Sequence, residues 1–175
     1  IMEVPARKAN IVVADIDATH AHFERMGIKP PKAMNIPEEL FRYAGREIRY
    51  ITMGEFKQDK ILPVFIKGNN LPKEYSNIFD AGVITTEYSR KNFFNGVPDD
   101  FPVLVSQYVE FVSEYRCYVI DREIVSVNRY NIGDYRIFPD MNVVDGMLQD
   151  IKNPPAGFTI DVGVTSDNRT LIIEC

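Results

Sequence analysis

The 175-residue sequence is 45% apolar and 26% charged, ordinary proportions for a folded globular protein, and long enough for one well-filled core or one domain with a small appendage. A net charge of −5 and a pI near 5.1 exclude nucleic acid or an anionic membrane as the main partner. No apolar run approaches the roughly 20 residues of a membrane span, no signal peptide is visible, and two distant cysteines, Cys117 and Cys175, make no disulfide framework. A reducing cytoplasm is the expected compartment. The sequence starts at Ile1 rather than Met, so the natural N-terminus is expected to lie upstream.

In chain order, Asn10–Ala14 reads as a short buried strand, followed by a helix that Asp17 caps and Gly27 stops. His20 and His22 are two apart, point in different directions on that helix, and read as surface residues rather than metal ligands. Gly27-Ile-Lys-Pro-Pro31 is an extended connector, because residues before proline avoid the helical region. Pro37-Glu-Glu-Leu-Phe-Arg-Tyr43 opens with proline and two acids, a good first helical turn. Arg46–Met53 alternates as a strand, and Lys60–Lys67 is a second, more apolar one. Lys67 stands at its mouth before Gly68-Asn-Asn70, where an ammonium can hold a phosphate or simply snorkel to water.

Phe79–Thr85 reads as a strand, Glu87–Phe94 as a short helix ended by Gly96, and Asp99–Pro102 as a turn. Val103–Val112 is an apolar strand running into a linker. Ser113–Ile120 alternates cleanly, with Glu114, Arg116, Tyr118 and Ile120 on one face, and a turn at Asp121–Glu123 leads to a partner strand, Ile124–Tyr130. Glu114 and Arg116 can serve a site or form an ion pair on a wet surface, which is worth little. Arg129–Arg136, rich in aromatic and basic groups, can line a pocket for a carboxylate or phosphate or be an ordinary polar loop. Asp140 caps a helix whose apolar stripe, Val143, Val144, Met147, Leu148 and Ile151, is core. Asn153-Pro-Pro-Ala-Gly157 terminates it.

The chain closes on two apolar strands, Phe158–Thr165 and Leu171–Cys175, joined by the polar turn Ser166–Thr170. Each carries one acid, Asp161 and Glu174, and an antiparallel pairing can bring the two together on one face. Buried together, two carboxylates point to a divalent cation, Mg²⁺ in the first place; facing water, they are solvated acids. There are no repeats, no Walker or dinucleotide-binding loop, no Cys/His cluster and no Ser-His-Asp set.

The order of these pieces resembles the ATP-grasp superfamily. Pro63-Val-Phe-Ile-Lys67 looks like its lysine strand, although Gly68 stands where the family usually has proline. Val103-Leu-Val-Ser-Gln-Tyr-Val-Glu110 followed by Ser113-Glu-Tyr-Arg-Cys-Tyr-Val119 looks like its hinge and Glu-x-Arg strand, and Asp161 and Glu174 match its metal-binding hairpin. The match runs from about Pro63 to the end, with a looser one at Gly27–Pro31, and the small, compact members are the most similar. The resemblance implies an α+β fold of mainly antiparallel sheets flanked by helices and sandwiching a nucleotide. Residues 1–57 would precede an ATP-grasp domain at 58–175, its lobes meeting near residues 105–106.

It also implies a site. Backbone at Gln107, Tyr108 and Val109 would hold the adenine edge, Glu110 or Glu114 the ribose hydroxyls, Lys67 and Arg116 the phosphates or acyl group, and Asp161 and Glu174 Mg²⁺. The family's third metal ligand, an asparagine, would fall at position 176, and its glycine-rich phosphate loop between Asn70 and Ile78. The implied activity is an ATP- and Mg²⁺-dependent carboxylate–amine (or thiol) ligase working through an acyl phosphate on small-molecule or peptide substrates. A catalytically degenerate nucleotide-binding module or an adaptor domain is the alternative, and the oligomeric state is left open, a dimer included.

Overall fold

The computed structural model describes residues 16–29, 34–68, 81–92, 94, 96–131 and 133–175. The chain divides into a short unit, Ile1–Lys32, and a larger one, Ala33–Cys175. In the short unit, helix α1 spans Ile16–Arg25. Ile16 is already helical, so the helix includes Asp17 rather than starting after it. Gly27 adopts φ 71°, a left-handed value open to glycine, and the helix stops before it. The strand expected at Asn10–Ala14 lies outside the described residues.

The larger unit opens with a 3-10 helix, Glu38–Tyr43, for which Pro37 is the cap rather than the first residue. Its first sheet contains β1 (Ile48–Thr52), β2 (Val64–Gly68), β3 (Gly82–Ile84) and β4 (Pro102–Gln107), antiparallel throughout in the order β1-β4-β2-β3. The first strand ends one residue before the expected Met53, because Thr52 starts a helix. Its hydroxyl accepts from the Glu55 amide while the Glu55 carboxylate accepts from the Thr52 amide, a capping box that opens α2, Met53–Gln58. Strand β2 begins at Val64, not Lys60, since Pro63 has no N–H to give to a ladder. Helix α3 spans Glu87–Asn92, and β4 stops at Gln107 well short of Val112. Met53, Phe56, Val64, Ile66, Phe94, Val103 and Val105 fill this sheet's core, with Phe56 and Phe94 edge to face at 5.6 Å.

The second sheet is β6-β5-β7-β8, also antiparallel: β5 (Ser113–Ile120), β6 (Glu123–Arg129), β7 (Gly157–Val164) and β8 (Thr170–Glu174). Asp121 and Arg122 both have positive φ, 48° and 66°, as a tight hairpin between β5 and β6 demands. Along β5, Tyr115, Cys117 and Val119 are buried while Glu114, Arg116, Tyr118 and Ile120 face the other way. The buried set packs on helix α4, Met141–Asp150, through Val144, Met147 and Leu148. Asp140 caps that helix by accepting from the Asn142 amide at 2.9 Å. Leu104 belongs to this second core although its neighbours Val103 and Val105 belong to the first, so β4 is apolar on both faces. Among the described residues no helix is long and apolar enough to cross a membrane.

Candidate active site

Strand register assembles the polar cluster. Arg116 on β5 lies opposite Asp161 on β7, and Asp161 lies opposite Glu174 on β8. Three charged residues from three adjacent strands therefore share the sheet face turned away from α4. The Arg116 guanidinium grips Asp161 with both arms, Nε to Oδ1 at 2.8 Å and Nη2 to Oδ2 at 2.7 Å. Asp161 is 2% exposed, so this carboxylate is buried beneath its partner, and the pairing holds Arg116 well above the ordinary arginine range. Lys67 reaches across from β2 of the first sheet and its ammonium bonds Glu174. Glu114 does not pair with Arg116; it neighbours Tyr130, whose phenol it helps hold above its usual value together with burial, the larger cause.

A β-bulge shapes the acid hairpin. Between the Asp161–Glu174 and Val162–Ile172 pairs, Ile173 is an extra residue on β8. Ile172 points into the core, whereas Ile173 and Glu174 both border one cavity. Regular alternation would have sent one of the latter two to the opposite face.

That cavity, about 400 Å³, lies between the sheets. Phe65, Val83, Leu104 and Ile173 give it apolar walls, and the 107–111 linker gives it a polar edge. Alternate residues of the paired stretch of β2 and β4 line it: Phe65 pairs with Ser106, and Lys67 with Leu104. The linker is strapped on both sides, for the Gln107 amide donates to the Glu47 carbonyl and the Tyr108 amide to the Pro63 carbonyl, each at 3.3 Å. Phe111 packs on β7 at Gly163, where a Cβ would collide with the ring.

Of the residues singled out in the sequence, Lys67, Gln107, Tyr108, Val109, Glu110, Glu114 and Glu174 all line the cavity. Arg116 and Asp161 stand beside it, linked through the Asp161–Glu174 pairing. Glu110 and Glu114 both reach it, so either can meet a bound molecule. The loop expected between Asn70 and Ile78 lies outside the described residues.

A site of this composition suits a flat, partly polar ligand with an anionic end. Two adjacent carboxylates fit a hard divalent cation that takes its remaining ligands from phosphate and water; among the described residues no group of three metal-binding side chains forms. A family model of the ATP-grasp domain, the second family of its clade, matches residues 43–175. The chain belongs to the ATP-grasp family.

Solved ATP-grasp structures share its fold. The ADP complex of N5-carboxyaminoimidazole ribonucleotide synthetase, purK, superposes with a TM-score of 0.53 at 15% identity, covering 91% of this chain and 50% of that one. For an L-amino acid ligase from Bacillus licheniformis the values are 0.56, 10%, 89% and 44%. For the ATP-grasp ligase PsnB with a minimal precursor they are 0.52, 15%, 91% and 60%. This ATP-grasp chain thus spans about half the length of these structures. No curated protein matches its sequence.

Several cavity residues escaped the sequence reading. Phe65, Val83, Leu104 and Ile173 look like core in the sequence, and only the sheet pairing turns them inward to the cavity. Arg46 is the larger omission. It borders the cavity and donates from Nη1 to the carbonyls of Ala44 and Ile172, both at 2.9 Å, and from Nε to the Ser106 hydroxyl at 3.3 Å. Burial pushes its pKa down to about 10, and among the described residues no acid pairs with it.

Proposed function

We propose that this chain is the ATP-grasp part of an ATP- and Mg²⁺-dependent ligase that joins a carboxylate to an amine, or to a thiol. One observation carries the reading: strand register collects Arg116, Asp161, Glu174 and Lys67 at one end of a cavity whose other end is the strapped 107–109 linker. The linker backbone would take the adenine edge, and Glu110 or Glu114 the ribose hydroxyls. Lys67 and Arg116 would face the phosphates, and Asp161 and Glu174 would hold the cation. Bound Mg²⁺ would neutralise charge on the phosphate oxygens during transfer.

The chemistry needs alignment more than proton transfer by a side chain. A carboxylate oxygen attacks the γ-phosphorus, the bond from that phosphorus to the β-γ bridging oxygen breaks, and ADP leaves. The amine nitrogen then attacks the acyl carbon, the carbon–oxygen bond to phosphate breaks, and nitrogen loses a proton. Fixed guanidinium and ammonium groups favour the crowded phosphoryl charge without reorganising. Substrates would be small-molecule or peptide carboxylates and amines. Their class is in keeping with an L-amino acid ligase and a precursor-bound ligase among the structures that share the fold. A cytoplasmic setting, where ATP and Mg²⁺ are plentiful, suits this activity.

A nucleotide-binding module without catalysis is the second reading. It is favoured by the way both Asp161 oxygens are already taken by Arg116. Calorimetry with ATP, with and without Mg²⁺, separates the two. Ligation predicts tighter binding with Mg²⁺ and ADP release on adding carboxylate and amine. Binding indifferent to Mg²⁺ supports the module, and no binding defeats both.

A further inference from the structure

The sheet face that carries Arg116 and Asp161 continues beyond them. Successive residues on one face of a strand stand roughly 7 Å apart. Along β5, away from the linker, that face runs Glu114, Arg116, Tyr118, Ile120. Register sets Ser126 of β6 and Thr159 of β7 on either side of Tyr118, and Gly157 beside Ile120. Ribose and phosphates account for the first two positions, and nothing in the nucleotide uses the last two.

A second cavity, about 580 Å³, lies over this stretch. Ile120 and Val125 are 53% and 55% exposed, which leaves an apolar surface facing it. Ser126, Asn128 and Thr159 add uncharged hydrogen-bonding groups, and among the described residues its lining carries no ionic side chain. A Cβ at Gly157 would meet only the Val119 carbonyl, at 3.9 Å, so the floor beside Ile120 is bare. Val125 is the extra residue of a β-bulge opposite Tyr118 and Val119, a distortion that discourages another strand from pairing along β6.

Arg116 gives this stretch a polar end. Its Nε and Nη2 hold Asp161, while Nη1 donates to no described residue and is not among the buried unpaired atoms, so it keeps access to solvent. A guanidinium with a spare donor suits a carboxylate. An acid laid along β5 would thus have its carboxylate at Arg116, beside the phosphates, and its chain over Tyr118 and Ile120. A second charge at the far end would find no cation. Arg122 of the adjoining hairpin bonds the carbonyls of Leu148 and Ile151 on the α4 side instead.

We propose that this stretch is the acyl-substrate subsite, and that it selects a monocarboxylate carried on an uncharged, apolar chain. The inference rests on the ligase reading above and adds the class of acid. Apolar contact with Tyr118 and Ile120 sets the preference, and the hydroxyls of Ser126 and Thr159 serve any polar group along the chain.

The test titrates 3-phenylpropionate and succinate into the full chain saturated with ADP and Mg²⁺, followed by ligand-observed NMR. The two acids are similar in length and differ in whether the far end is apolar or charged. The aryl acid should bind about tenfold more tightly, the order expected for covering one side of an aromatic ring. Ile120→Ser, a change at an exposed position, should remove most of that preference and leave ADP affinity unchanged. Ile120→Leu should keep it. Equal binding of the two acids by wild type overturns the proposal, and that comparison needs no variant to fold. A preference that survives Ile120→Ser combined with Tyr118→Ser overturns it too, by placing the apolar contact elsewhere. Wild-type self-association that Ile120→Ser abolishes, with no preference between the acids, would assign the face to a second copy of the chain instead. Failure to bind ADP at all would overturn the nucleotide-site reading itself, and the proposal with it.

Discussion

Arg116 covers a carboxylate that cannot reach water, and removing the cover has a calculable cost. Arg116→Met strands Asp161 buried and unpaired, and should destabilise the fold by about 1–3 kcal/mol in urea denaturation. The loss stays below that of a fully buried pair because the Arg116 side chain is 42% exposed. The two thiols give a second residue-scale expectation. Burial pushes Cys117 up to about 11 and Cys175 up to about 12, so both stay protonated in the folded protein at pH 8. Alkylation by iodoacetamide should be slow there and fast once urea unfolds the chain. The raised values also favour folding at neutral pH, and this contribution fades as pH climbs from the usual thiol value of about 8.5 toward those folded values. A stability–pH curve that rose over that interval would contradict it. At this scale the sequence was readable where charge stood out against apolar neighbours, as for Asp161, Glu174 and Lys67. Which acid Arg116 grips was not, since Glu114 in its own strand and Asp161 forty-five residues away are equally acidic, and only the β5–β7 register chooses.

Elements were legible wherever one periodicity ruled. β5 alternates, the α4 stripe recurs at helical spacing, and both folded as their patterns require. Thr52-x-x-Glu55 carries the capping-box signature, yet the strand pattern before it masked the change of element. Thr52→Ala should cost about 1 kcal/mol, read by thermal denaturation, by freeing the first amides of α2. The apolar walls of the cavity were hidden for a different reason. Phe65, Leu104 and Ile173 bury as core residues do, and no local pattern separates lining a cavity from filling a core. Gly163 tests the β7 floor of the site. Gly163→Ala places a methyl against the Phe111 ring and should push it off the sheet. ATP affinity should fall severalfold by calorimetry while far-ultraviolet circular dichroism stays unchanged.

Within the larger unit, two cores meet across a cavity with apolar walls and a polar edge, and among the described residues the Lys67–Glu174 pair and the Arg46 bonds to Ser106 and Ile172 tie them there. A ligand held by both sheets adds to these ties and stabilises the folded state by mass action. At 100 times its dissociation constant, Mg²⁺·ATP should contribute about 2.7 kcal/mol, visible as a rise in melting temperature. Lys67→Met should shrink that rise, and an undiminished shift would remove Lys67 from the site. Only the β5–β6 and β7–β8 hairpins follow from consecutive strands with short turns; the order β1-β4-β2-β3 sets strands far apart in sequence side by side.

The extra residue at Ile173 imposes a rule on how this hairpin can change in length over evolution. Ile172 pairs with Val162 on the core face and Glu174 with Asp161 on the other, so losing the one residue between them would leave a regular ladder with the acid still opposite Asp161, whereas gaining one would carry it past Asp161 to the core face. The turn at Thr165–Arg169 lies outside the ladder and escapes that arithmetic. Relatives should therefore vary freely in that turn, while next to the acid the extra residue can be lost but a second one not gained.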